Sequence, residues 1–113
     1  MVSVTLTCGK NGVLKKCKAN GHADFSKKGT DIVCSAVTIL LRTAMQLLSH
    51  MENVNLTADA SSRGKICFSV EQEEVKTESP EMEIRLQCIA DFLKNGIASI
   101  QKEYPDNVRL VLE

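Results

Sequence analysis

The sequence predicts an α+β fold: one domain over residues 1–113, elements in the order ββαββαβ, and a mixed or antiparallel sheet packed by two long helices. Two patterns and one bound carry this reading. Five short stretches alternate apolar and polar residues, two long stretches repeat apolar residues every three to four positions, and 113 residues leave room for a single core. A chain of this length buries about two-thirds of its unfolded surface, so it needs no disulfide or metal to hold it. Its 43% hydrophobic and 25% charged residues are those of a soluble globule and exclude disordered, collagen-like and membrane classes.

Val2, Val4, Leu6 and Cys8 alternate with Ser3, Thr5 and Thr7, the period of a strand with one buried face. Gly9-Lys10-Asn11-Gly12 reads as a hairpin connection, and Val13, Cys17 and Ala19 continue the return strand with Lys16 and Lys18 facing away. A polar loop follows from Asp24 to Gly29, flanked by Gly21 and Gly29, which accept backbone angles other residues avoid. Thr30 or Asp31 suits a helix N-cap. Val33, Ala36, Val37, Leu40, Ala44, Leu47, Leu48 and Met51 then give helical spacing to about His50, itself read as a surface residue compensating the helix dipole. Val54, Leu56 and Ala58, then Ile66, Phe68 and Val70, form a second hairpin around Ser61-Ser62-Arg63-Gly64. Ser79 as cap, Pro80 at the first position and Glu81 and Glu83 in the first turn open the second helix. Its seam runs Met82, Leu86, Ile89, Leu93, Ile97, Ile100, Tyr104, with Gly96 inside it to allow close packing. Pro105 ends the helix, and Val108, Leu110 and Leu112 make a last strand. Two helices cover such a sheet incompletely, and a symmetric homodimer is the ordinary remedy.

Fourteen basic and fourteen acidic residues cancel, so no global field draws the chain to nucleic acid or anionic lipid. The charges are nevertheless segregated. Residues 1–30 carry six lysines against Asp24, and residues 71–83 carry six glutamates against Lys76. Both runs read first as wet, solubilising faces and second as partner-steering surfaces. The start MVSVTLTC has no basic segment followed by an apolar run, and the apolar stretch Ile32 to Leu41 ends at Arg42, short of the roughly 20 residues of a membrane span. A cytoplasmic protein with reduced thiols is expected, and the sequon at Asn55 is then only part of a strand.

Five cysteines occur, none in a CxxC. Cys8, Cys17, Cys67 and Cys88 fall in strands or a helix and read as small apolar fillers. Cys34 stands apart, three or four residues after the N-cap, where unpaired amides and the positive dipole end favour a thiolate. His22 precedes it by a short loop, and if that loop folds back the imidazole reaches the sulfur as a general base. The same first-turn amides suit the oxyanion formed when a thiolate attacks a carbonyl. Spacing alone leaves this pair as one reading beside an idle loop histidine and helix cysteine.

The run Gly21-His22-Ala23, then Gly29-Thr30-Asp31-Ile32-Val33-Cys34-Ser35-Ala36-Val37-Thr38, resembles the signature of the ribosomal-processing cysteine protease family, and Glu103-Tyr104-Pro105 followed by Val108 is similar to its ending. The resemblance implies a compact homodimeric endopeptidase, without cofactor or metal, that removes the N-terminal extension of large-subunit ribosomal protein twenty-seven after an aromatic residue. It makes Cys34 the nucleophile and His22 the base, with Gly21, Gly29, Asp31, Ser35 and Thr38 in support and a mobile loop between the pair. Asp31 suits a helix cap and, second, an orienting partner for His22. Ser35 and Thr38 stand where the family more often has alanine and serine. Neither a membrane nor direct nucleic-acid binding is required.

Two rivals remain. The lysines of the first hairpin with Lys27 and Lys28 would suit a ribosome- or RNA-associated binding module, although Phe25, Phe68, Phe92 and Tyr104 offer no row of stacking platforms. Zinc held by Cys17, His22 and Cys34 has fitting ligand types but irregular spacing and no fourth partner.

Overall fold

The alternation of Val2, Val4 and Leu6 with Ser3, Thr5 and Thr7 becomes β1 (Val2–Cys8), with the apolar set buried against the helices. The structure, a computed structural model, describes residues 1–21, 30–60, 64–72 and 80–113, with the side chains of Thr30 and Asp31 outside that description. A 3-10 turn at Lys10–Gly12, with Asn11 at φ 63°, leads to β2 (Leu14–Asn20). Thr7 pairs with Lys16 but Cys8 with Leu14, so Lys15 is an extra residue and β2 carries a bulge. That bulge explains why Lys15 and Lys16 are both exposed and why Leu14 joins Cys17 and Ala19 in the core. A strict period of two places Val13 there but misses Leu14.

The helix α1 (Thr30–Ser49) follows, then β3 (Val54–Asp59), β4 (Lys65–Gln72), α2 (Pro80–Glu103) and β5 (Val108–Leu112). The five strands order as β3-β4-β2-β1-β5, antiparallel throughout except for β1 beside β5. The mixed sheet, the two helices and the element order are those the sequence predicts.

Both helices join one buried cluster with the inner face of the sheet. α1 packs over β3 and β4, and α2 over β5, β1 and β2. Phe68, fully buried, lies opposite Cys17 on one side and Ala58 on the other. Burying such a side chain contributes about 2 to 3 kcal/mol. On α1 the buried stripe is Val33, Val37, Leu41, Ala44 and Leu48, so Leu41 belongs to it while Leu47 is exposed. Leu40 is turned toward α2, where a Cβ on Gly96 would stand 2.9 Å from its Cδ1. The close helix approach expected at Gly96 is thus present.

Two side-chain bonds fix α2: Gln87 Nε2 donates to the Asn11 carbonyl at 2.6 Å, and Gln101 Oε1 accepts from the Leu110 N–H at 2.6 Å. Residues Ile32–Ser49 have a mean hydropathy of 1.6 over 18 positions, so by length and composition that helix could cross a membrane. The sequence reading, which stopped the apolar stretch at Leu41, is corrected on this point, and the periodic burial of α1 in the sheet core accounts for much of that hydropathy.

Candidate active site

Sheet order brings four chain segments together at one end of the molecule. β1 begins there, β2 ends, β4 begins and β3 ends, and the N-terminal half of α1 lies across them. Between them opens a cleft of about 240 Å³. Its walls are Cys34, Val37, Thr38 and Arg42 from α1, Ala19, Asn20 and Gly21 from the end of β2, Gly64, Lys65 and Ile66 from the start of β4, with Val2 and Ala60.

Gly21 is held by its own N–H, which donates to the Gly64 carbonyl at 3.0 Å. Its φ is +155°, and a Cβ there would stand 2.6 Å from both the Met1 carbonyl oxygen and the Val2 Cα. Those neighbours are backbone and cannot rotate aside, so this position admits only glycine.

Cys34 is half-buried and opens onto the cleft, as does Thr38 one turn further on. Ser35 is exposed and is not among the cleft residues. α1 begins at Thr30, which makes Thr30 and Asp31 first-turn residues instead of the cap. Asp31 is the second helical residue. Cys34 is the fifth helical residue, one turn in, so the unpaired amides are those of residues 30–33 just before it. His22 and Gly29, like Ser79, lie outside the described residues.

The other cysteines divide by environment. Cys17 is fully buried. Burial, with the neighbouring Cys67 second, pushes its thiol from the usual 9.0 up to about 12, which keeps it a neutral thiol and a poor nucleophile near neutral pH. Cys8 and Cys67 are half-buried, and Cys88 is exposed on α2, against its expected role as core filler. All five cysteines are described, and none is in a disulfide.

Sequence reasoning missed Arg42 and Lys65 as cleft residues. The signal for Arg42 was present, because Cys34, Thr38 and Arg42 are spaced by four and share one helix face. Lys65 reaches the cleft through strand pairing, opposite Asn20, which no local pattern reveals.

Fold and cleft together define a class: an α+β protein with a helix-borne thiol opening onto a cleft of about 240 Å³. Residues 1–109 match the profile of the family described as Cysteine protease Prp, and the chain belongs to that family. Two curated relatives, both named ribosomal processing cysteine protease Prp, come from Bacillus subtilis (strain 168) and Staphylococcus aureus (strain Mu50 / ATCC 700699). The first is 22% identical, covering 97% of this chain and 96% of its own, and the second is 26% identical, covering 97% of each. Among solved structures, the S. aureus Prp protease with a substrate peptide superposes with a TM-score of 0.72 at 23% identity, covering all of both chains. The same protease with a covalently linked product peptide gives 0.70 at 24%, again over both whole chains. SMU.848 from Streptococcus mutans gives 0.72 at 23%, covering 99% of this chain and 93% of its own. These structures share the fold. Family membership decides between the two leading sequence readings in favour of a cysteine protease of ribosomal processing, over a binding module without catalysis.

Proposed function

We propose that this chain is a cytoplasmic, homodimeric endopeptidase that removes the N-terminal extension of large-subunit ribosomal protein twenty-seven, with Cys34 as nucleophile and His22 as general base. The observation that carries the reading is the place of Cys34: the thiol lines the cleft one turn into α1, in a chain of the Prp family. His22 follows directly in sequence on Gly21, which forms part of the cleft wall with Cys34, and that adjacency supports its reading as the base.

In the mechanism, His22 takes the thiol proton and the Cys34 sulfur attacks the peptide carbonyl carbon. A carbon–sulfur bond forms, and the carbonyl electrons move to oxygen. The amides at the start of α1 receive that oxyanion, aided by the helix dipole. Collapse breaks the carbon–nitrogen bond, and His22 returns the proton to the departing amine. Water, deprotonated by His22, then hydrolyses the thioester and restores the thiol. Gly21 and Gly29 flank the loop that carries His22, and Asp31 supports the helix start or orients the imidazole. No cofactor or metal enters any step.

The dimer is supported by apolar side chains that the monomer leaves in water, with Ile39 at 64% exposure and Leu47, Ile84 and Phe92 also exposed on the two helices. The test is mass spectrometry of a peptide spanning the ribosomal extension after incubation with wild type, Cys34→Ala and Cys17→Ala. One defined cut that survives Cys17→Ala and disappears with Cys34→Ala is expected. Folded wild type that leaves the peptide intact overturns the substrate, and a cut that persists in Cys34→Ala overturns the nucleophile.

A further inference from the structure

Residues 1–21 carry four lysines, Lys10, Lys15, Lys16 and Lys18, and no carboxylate, a charge that no step of peptide hydrolysis uses. The fold gathers it on one side. Lys16 and Lys18 alternate with the buried Cys17 and Ala19, so they stand on the face of the sheet turned away from both helices. Lys10 and Lys15 are exposed at the hairpin end of the same two strands. Arg109 follows the buried Val108 and pairs beside Ser3, which puts it on the outer face two strands from Lys18, about 10 Å across the sheet. Lys65, which alternates with Ile66 and the buried Phe68 and Val70, adds a fourth cation to that face at the corner where it meets the cleft.

The floor between these cations is made of hydroxyls. Ser3, Thr5 and Thr7 of β1 share the outer face, and Thr57 of β3 pairs beside Ser69 of β4 on it. Both helices pack on the opposite face, and among the described residues no element packs over this one. Its carboxylates lie at the margins: Asp59 and Glu71 on β3 and β4, and Glu113 just after β5. β1 and β2 themselves contain none.

Ammonium groups above a bed of Ser and Thr hydroxyls match a sugar–phosphate backbone, which takes charge at phosphate and hydrogen bonds at phosphate and 2′-OH oxygens. No aromatic residue is on the outer face among the described residues, so unpaired bases find no stacking platform there. A membrane surface calls for large apolar side chains around the cations, and β1 and β2 turn none outward. A-form duplex RNA instead presents a wide, shallow minor groove edged by phosphates and 2′-hydroxyls, a shape suited to an open sheet. We propose that the outer face of the sheet, with the β1–β2 hairpin, binds the backbone of duplex RNA. Ribosomal particles supply that chemistry to a family of ribosomal processing. The cleft opens at the end of the sheet and the exposed apolar residues of α1 and α2 lie on the helix side, so bound RNA leaves both free. The proposal goes beyond the peptidase reading and is tested without any cut.

Fluorescence anisotropy of the full chain with a labelled RNA duplex of about 16 base pairs, in about 50 mM and about 200 mM salt, measures the affinity and its salt slope. Lys16→Gln with Lys18→Gln and Arg109→Gln lowers the affinity about tenfold or more in the lower salt and reduces the slope by about three. Arg85→Gln with Lys94→Gln and Lys102→Gln, an equal loss of charge on α2, changes the affinity less than about twofold. Circular dichroism checks that both triple variants are folded. Should the first not fold, the single exposed reversals Lys16→Glu and Arg109→Glu replace it, with Lys102→Glu as their control. Duplex RNA binds more tightly than single-stranded RNA or duplex DNA of the same length. An equal loss in both triple variants reports net charge alone and overturns the face. Duplex DNA bound as tightly as duplex RNA, or binding to phosphatidylserine vesicles without binding to RNA, overturns the occupant, and no RNA binding by folded wild type overturns the whole proposal.

Discussion

Replacing Gly21 by alanine tests whether the cleft wall depends on a backbone contact. The new Cβ would lie 2.6 Å from the Met1 carbonyl oxygen and 2.6 Å from the Val2 Cα, so the start of β1 must move. That start is tied down, because the Val2 N–H donates to the Asn107 carbonyl at 2.8 Å and Val2 pairs with Val108. Losing about one such bond costs about 1 kcal/mol. An L residue held at φ +155° adds about 1 to 3 kcal/mol. The expected loss is about 2 to 4 kcal/mol, a fall in Tm of about 8 to 16 °C for a domain of this size. Gly12→Ala is the control: φ is +75° there and nothing lies within 4 Å of the new Cβ, so only the left-handed penalty of about 1 kcal/mol applies. Calorimetric melts of wild type and the two variants decide the matter. If Gly21→Ala melts no lower than Gly12→Ala, the contact with β1 is not what requires glycine, and the reasoning fails.

Gly96→Ala should act in the opposite direction. The helix gains about 1 kcal/mol in propensity, and Leu40, half-buried, gives way at the tip of a flexible side chain at a cost of about 0.5 to 1 kcal/mol, so chemical denaturation should show stability unchanged or slightly raised. A loss above about 2 kcal/mol would mean that Leu40 is locked. Cys17 makes stability depend on alkaline pH. Because the folded state holds the Cys17 proton more tightly than the unfolded chain, its contribution is complete below about pH 9 and is lost as pH rises toward about 12. By pH 11 the loss is about 2 to 3 kcal/mol, and Cys17→Val should remove it from the difference between urea midpoints at pH 8 and 11.

Local physics wrote most of the fold into the sequence. Period-two alternation located β1, β3, β4 and β5, and Pro80 with the seam from Met82 to Tyr104 located α2. What stayed hidden depends on partners distant in sequence. The bulge at Lys15, which brings Leu14 into the core, arises from the pairing of β1 with β2. The stripe on α1 was misplaced at Leu41 and Leu47 because three- and four-residue steps can be joined in more than one way, and only the sheet beneath selects one. Cys34 could be singled out from its position near a helix start, since dipole and amides are local. Lys65 could not be placed at the cleft in the same way, because it arrives there only once β4 has joined β2.

The parallel pairing of β1 with β5 also ties the cleft to a distant part of the chain. Val2 forms part of the cleft, yet its N–H is held by Asn107 and its strand partner is Val108, residues made more than one hundred positions later. Contacts of such sequence separation form late, since the entropy of closing the loop must be overcome before they contribute. Without β5 and the turn before it, the start of β1 loses both the Asn107 bond and the Val108 pairing, and that wall of the cleft lacks its anchor. The cleft wall at Val2 is thereby set by β5, a strand more than one hundred positions away along the chain.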